Sequence, residues 1–163
     1  MALVCPMNFD KDKLRSEVRR TYTQVAEDPA GDYHFHRGAE YAARHLGYDL
    51  AALKVLPLAA TEVFCRMGNP FRMGALENGA TVIDIGSGGG MDCLLAAKQV
   101  GPNGTVIGID MTDAMLERSG GAARAAGRVN VRFEKAEMTR LPLADDSVDV
   151  VISNGVNFLA YKR

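Results

Sequence analysis

No tryptophan occurs among the 163 residues, and cysteine and histidine occur only three times each. Cys5, Cys65 and Cys93 are too few and too scattered for a disulfide framework, which fits a reduced, cytoplasmic protein. His34 and His36 lie two apart, but no cysteine or third histidine stands beside them. A stable zinc site wants three or four protein ligands, so no metal is expected. No apolar run approaches the length of a membrane span. The start, Met1–Pro6, is short and soon followed by charge, unlike a signal peptide. The formal net charge of −1 provides no general attraction to nucleic acid or anionic membrane, and neither is expected as a partner. No Ser-His-Asp or Cys-His arrangement suggests a nucleophilic hydrolase.

Glycine, by contrast, is plentiful, and much of the information lies in one cluster of it. Thr81-Val82-Ile83-Asp84-Ile85 is an apolar, β-branched run that reads as a buried parallel strand. Gly86-Ser87-Gly88-Gly89-Gly90 follows, and Met91–Val100 reads as a helix. Glycines without Cβ let the backbone turn sharply and approach a ligand, and the first amides of a helix can donate to it. Strand, glycine turn and helix together therefore predict a small-molecule site. The dinucleotide fingerprint G-x-G-x-x-G fails, because its third glycine would fall on Met91 or, one start later, on Cys93. What stands instead is D-x-G-x-G-x-G, from Asp84 to Gly90. Asp84 would oppose a pyrophosphate but could hold an ammonium, directly or through water. A nucleoside with an amino-acid arm fits that charge better than a dinucleotide. Val106-Ile107-Gly108-Ile109-Asp110 reads as the next strand, and its terminal acid can accept from two ribose hydroxyls.

These residues resemble the first motifs of class I S-adenosylmethionine-dependent methyltransferases. The step Asp110-Met111-Thr112 resembles the arsenite methyltransferase-like branch. So do Gly68-Asn69-Pro70-Phe71, Gly101-Pro102-Asn103-Gly104, Leu141–Asp145 and Val151-Ile152-Ser153-Asn154-Gly155-Val156. The resemblance implies an enzyme that takes S-adenosylmethionine as cofactor and transfers its methyl group to a small-molecule acceptor. The residues it implies at the cofactor are Asp84, Gly86, Ser87, Gly88, Gly90, Asp110, Met111, Glu137, Met138 and Asn154. Glu137 and Met138 would meet the adenine. No catalytic residue stands out; His34, His36 and Asn154 are the weak candidates.

The implied fold is α/β, a Rossmann-like three-layer sandwich on a mostly parallel sheet, with an N-terminal helical cap over residues 1–76 and a cofactor-binding core over 77–163, together one compact domain. Residues 1–9 read as an unstructured lead. Asn8 or Asp10 caps a helix to about Glu27, whose apolar face is Leu14, Val18, Tyr22 and Val25; Lys11, Lys13, Arg15, Arg19 and Arg20 read as its solvated face. Further helices are expected from about Ala39 to Leu46, from Leu50 to Val55 behind Asp49, and from Pro57 to about Arg66. In the core, a helix runs from Thr112 or Asp113 to about Ala126, weakened by Gly120-Gly121. Strands follow at about 130–136 and 148–153.

Two departures from the resembled family stand out. After the fourth strand that family continues with a helix, a fifth strand and a closing hairpin, whereas this sequence runs from Asn157 to Arg163 on a different pattern. A sheet ending there would expose an edge open to homodimer formation, and a non-catalytic cofactor-binding or interaction domain is the alternative function. Arsenite methyltransferases also hold trivalent arsenic on cysteine thiolates, where this sequence has Gly155 and, near the other position, Met67. The soft-ligand chamber arsenic needs is therefore not visible, which makes arsenite a less favoured acceptor. A nicotinamide-dependent oxidoreductase is disfavoured by the failed third glycine and Asp84.

Overall fold

The computed structural model describes residues 10–155. The expected lead at 1–9, the alternative cap Asn8, Cys5 and the stretch 157–163 lie outside them. Four strands form one parallel sheet: β1 (Thr81–Ile85), β2 (Thr105–Asp110), β3 (Val131–Lys135) and β4 (Val150–Ser153), in the order β3-β2-β1-β4. The chain steps outward from β1 through β2 to β3, then returns to the other side of β1. Strand order thus reverses beside β1, which places the ligand crevice of an open α/β sheet at the carboxyl end of that strand. This is the α/β, Rossmann-like arrangement that the sequence implied.

Alternation along the strands divides the core. Val82 and Val106 face the helix α5 (Met91–Val100) together with Cys93, Ala96 and Val100. Ile83, Ile107 and Ile109 face the other side, where Leu141, Leu143 and Val148 of the β3–β4 connection cover them. The buried valines and isoleucines among these each contribute about 1.5–3 kcal/mol. Helix α6 (Asp113–Ala125) lies on the α5 side, its Ala122 and Ala123 packed with Leu94, Val131 and Phe133. The ring of Phe133 fills the space beside two glycines: a Cβ on Gly90 would stand 2.9 Å from it, and one on Gly108 closer still.

The Gly120-Gly121 pair does not break α6. A Cβ on Gly121 would meet only the end of the Arg124 side chain, at 3.9 Å. Gly121→Ala is therefore expected to stabilise the protein by roughly 1 kcal/mol, read as a rise of a few degrees in Tm; an unchanged or lower Tm would show that the pair has another role.

Ahead of the core, α1 (Lys11–Glu27) is capped by Asp10, whose Oδ1 accepts from the N–H of Asp12 and of Lys13 at 3.1 and 2.9 Å. Its apolar face carries Tyr22 and Val25 inward. Four of its five basic residues named above are exposed, but Arg15 is half-buried and lines a cleft. Helix α2 (Gly38–Leu46) ends at a left-handed Gly47, and α3 (Leu50–Lys54) starts on Asp49. Helix α4 departs from expectation. It covers only Leu58–Thr61 instead of continuing to Arg66. The carbonyls beyond it are engaged over long range: Phe64 O accepts from Gly38 N at 2.8 Å and Arg66 O from the Tyr41 hydroxyl at 3.1 Å. Residues 62–69 are drawn out of the helix and laid across the glycine turn, with Val63 directly over Gly89.

Candidate functional site

The turn after β1 needs its glycines. Gly86, Gly88 and Gly90 have φ of 76°, 54° and 86°, the left-handed region that side chains disfavour. The sequence offered the first amides of the following helix to a ligand. The amides of the turn ahead of it are engaged within the protein: Gly86 N and Ser87 N both donate to Ile109 O, at 2.7 and 2.8 Å, and Gly88 N donates to Asp110 Oδ2 at 2.9 Å. These donors are committed within the protein. Ser87 Oγ is different. Among the described residues it is the one buried side-chain nitrogen or oxygen without a partner.

A cleft runs over the turn. Of the ten residues expected at a cofactor, Gly86, Ser87, Gly88, Asp110, Met111, Glu137 and Met138 line it. Asp110 ends β2, and its second oxygen accepts from Thr112 N at 2.9 Å. Each carboxylate oxygen retains acceptor capacity after one such bond. Ala136 N donates to Asp110 O at 3.2 Å, and this carries the next two residues, Glu137 and Met138, to the opposite wall. Arg15 of α1 reaches across to Glu137 at 3.9 Å. Tyr22 and Val18 of α1, with Val63 and Cys65, close the cleft from above.

Three expected residues are not on the cleft lining. Gly90 is the left-handed cap at the start of α5. Asp84 sits behind the turn, 2% exposed, with Oδ2 accepting from the Cys93 thiol at 3.3 Å. Burial first, and then the charge of Asp92, push its pKa up to about 7 against the pull of Arg66. Asn154 faces the other way. Its Oδ1 accepts from Gly68 N at 3.0 Å, and its Nδ2 donates to Gly68 O at 2.6 Å and approaches Asp92 Oδ2 and the Tyr48 hydroxyl at 3.3 Å each. The Tyr48 hydroxyl in turn donates to Asp92 Oδ1 at 2.7 Å. Asn154 therefore clasps the 68–69 corner to the end of β4 and does not reach into the cleft. His34 and His36 do not approach it either: His34 lies edge-on to Phe35, and His36 stacks on Tyr41. None of the three weak catalytic candidates lines the cleft.

Of the network Asp84, Asp92, Tyr48 and Asn154, the sequence singled out only Asp84 and Asn154. Asp92, in the first turn of α5, is buried, and that burial raises its pKa. Arg66, which the sequence placed at the end of a helix, comes to the turn itself: Nη1 donates to Asn154 O at 2.9 Å and Nη2 to Gly86 O. Burial opposes its charge, but the surrounding carboxylates, Asp84 foremost, outweigh burial and raise its pKa. No group of three or more metal-ligating side chains occurs among the described residues.

Comparison with known proteins agrees with this geometry. Residues 76–161 match the family profile of a methyltransferase domain. An arsenite methyltransferase of Halobacterium salinarum is 37% identical over 167 positions, which take in 94% of this chain and 42% of the relative. The Mus musculus arsenite methyltransferase is 35% identical over 92 positions, 50% of this chain and 24% of its own length. The crystal structure of an arsenic(III) S-adenosylmethionine methyltransferase from Chlamydomonas reinhardtii superimposes with a TM-score of 0.57 at 40% identity, over 64% of this chain and 37% of that one. The chain thus spans less than half the length of these relatives. With the glycine turn, the acid one strand later and the sheet order all in agreement, this chain belongs to the methyltransferase-domain family.

Proposed function

We propose that this chain binds S-adenosylmethionine over Gly86–Gly90 and transfers its methyl group to a small-molecule acceptor. One observation carries the proposal: the amides of Gly86, Ser87 and Gly88 are engaged inside the protein, while carboxylates gather around the turn. Such a cradle is poor for a pyrophosphate and suited to a cationic nucleoside. The unpartnered Ser87 Oγ and the free lone pairs of Asp110 add polar groups that a ligand can satisfy. The residues present fit the cofactor.

When bound, that cofactor supplies a methyl group activated on a sulfonium, ready for in-line displacement. The protein's own part is to bind, orient and exclude water. Asp110 accepts the ribose hydroxyls. Glu137 accepts from the adenine amino group, and Met138 packs on the ring. Met111 and Ser87 border the nucleoside, and Gly88 keeps the wall thin where it lies. Asp84 acts through its charge from behind the turn. Tyr22 and Val63 keep water from above. No general base is assigned, and a soft nucleophile does not require one.

Arsenite is the second acceptor to consider, because several relatives carry that name. Against it, Cys65 is the one thiol lining the cleft among the described residues, and burial raises its pKa. Gly155 lies beside Met67, without a thiol at either place. A cytoplasmic location and pairing of two copies across β4, where Val151 is 58% exposed, belong to the same proposal. No helix among the described residues is long and apolar enough to cross a membrane.

Calorimetric titration with S-adenosylmethionine and with NADH tests the site. Heat with the first alone supports it; heat with NADH alone overturns it. Cofactor consumption with arsenite, thiols and quinol-like acceptors then decides the acceptor class, and binding without turnover would favour a non-catalytic domain.

A further inference from the structure

Arg66 has no role in what precedes, yet it is the one arginine that reaches the glycine turn among the described residues. A Cβ on Gly88 would stand 2.8 Å from its Nη2. Its guanidinium lines the cleft, and its recorded partners are two neutral carbonyls, Gly86 O and Asn154 O. Two of five N–H groups are thereby used. Asp84, Asp92 and Asp110 are close enough to favour its charge, but among the described residues none forms an ion pair with it. An arginine serving only the fold would ordinarily be paired directly when drawn this far inward. In this one, three of the five N–H groups carry no hydrogen bond among the described residues, and the side chain lines the cleft.

Four charged residues line the cleft. Arg15 pairs with Glu137 at 3.9 Å and Asp110 is assigned above to the ribose, which leaves Arg66 as the cation without an ion pair among the described residues, suited to the one carboxylate of the amino-acid arm. Arginine is also the side chain whose planar fork matches a carboxylate with two parallel hydrogen bonds. We propose that Arg66 recognises the α-carboxylate of the cofactor's amino-acid arm, giving up Gly86 O to the ammonium and turning its fork onto the carboxylate. The inference rests on the cofactor proposed above. It makes Arg66 a specificity-determining residue that separates the intact cofactor from nucleosides lacking the carboxylate. It also gives the early end of α4 a purpose, since a helix continued through residue 66 would not have laid this side chain across the turn.

The test is calorimetry on the whole chain with S-adenosylmethionine and its decarboxylated analogue, using wild type, Arg66→Gln and Arg66→Lys. Wild type is expected to prefer the intact cofactor. Arg66→Gln should lose about tenfold or more for it, the scale of a charge-assisted hydrogen bond. Its affinity for the decarboxylated analogue should hold or rise, so that the preference disappears. Arg66→Lys, which keeps the charge without the fork, should fall between. It gives the same comparison if melting curves show that Arg66→Gln does not fold. Equal losses for both ligands would make Arg66 a structural strut, and tighter binding of the intact cofactor would make it a plug; either overturns the proposal. If wild type binds neither ligand, the cofactor assignment fails and Arg66 falls with it.

Discussion

Asp110→Ala is expected to weaken S-adenosylmethionine binding at least tenfold. The carboxylate accepts from Gly88 N and Thr112 N, each at 2.9 Å, and lines the cleft with its remaining lone pairs. Alanine removes the proposed acceptor of both ribose hydroxyls, and a lost charge-assisted hydrogen bond costs about 1.5–3 kcal/mol. It also removes the partner of Gly88 N, so the turn loses an anchor before any ligand arrives. Asp110→Asn separates the two effects. The amide keeps one acceptor oxygen but no charge, so the turn should be better preserved than the affinity. Calorimetry on both variants, beside their melting curves, decides. Wild-type affinity in Asp110→Ala would remove this residue from the cofactor site.

For Asp84→Asn, opposite effects on stability and binding are expected. The Asp84 pKa is raised to about 7, chiefly by burial and then by Asp92. A raised carboxyl pKa means that the folded protein keeps a proton which the unfolded chain has already released. The stabilisation is complete below the unfolded value near 3.8, declines as pH rises through the interval, and is gone once pH passes about 7. For a shift of this size the decline is on the order of 4 kcal/mol. Burial of Asp92 raises its pKa and adds in the same direction. Asparagine cannot ionise. The variant should therefore show a flatter dependence of Tm on pH between 4 and 7 and a higher Tm than wild type at pH 8. Cofactor affinity at pH 8 should fall, because the buried negative charge behind the turn is lost. Melting curves across pH 4 to 8.5 test the first part and calorimetry the second. A wild-type slope in the variant would show that Asp84 is not the titrating group.

The contrast between Asp110 and Asn154 shows what sequence can carry. Asp110 ends a strand and Asn154 directly follows one, so both place a polar group at a carboxyl end. Asp110 was legible because the bond that fixes it is to Gly88, a residue of the same motif. Asn154 was not, because its direction depends on Gly68 and Tyr48, far away in the chain. The same limit hid Arg66. Leu58, Val63 and Phe64 read as the apolar residues of one helix, and nothing local says that Gly38 and Tyr41 will take the carbonyls of Phe64 and Arg66. Glu137 and Met138 were readable as following the third strand, and the bond from Ala136 to Asp110 O fixes them there. Arg15 was assigned to solvent because helical periodicity places it on the polar side; its length lets it bend over the cleft to Glu137. Elements defined by local pattern were thus recovered nearly in full, and side chains positioned by distant backbone were not.

Ile109 O holds the amides of both Gly86 and Ser87. The cradle is thereby indexed to the pairing of β1 with β2, in which Ile85 faces Ile109. Slippage by a single position would turn Asp110 toward the greasy interior and offer isoleucine to the nucleoside. A molecule with these strands one position out of step would lose the proposed cradle, so cofactor binding reports on the register of the sheet.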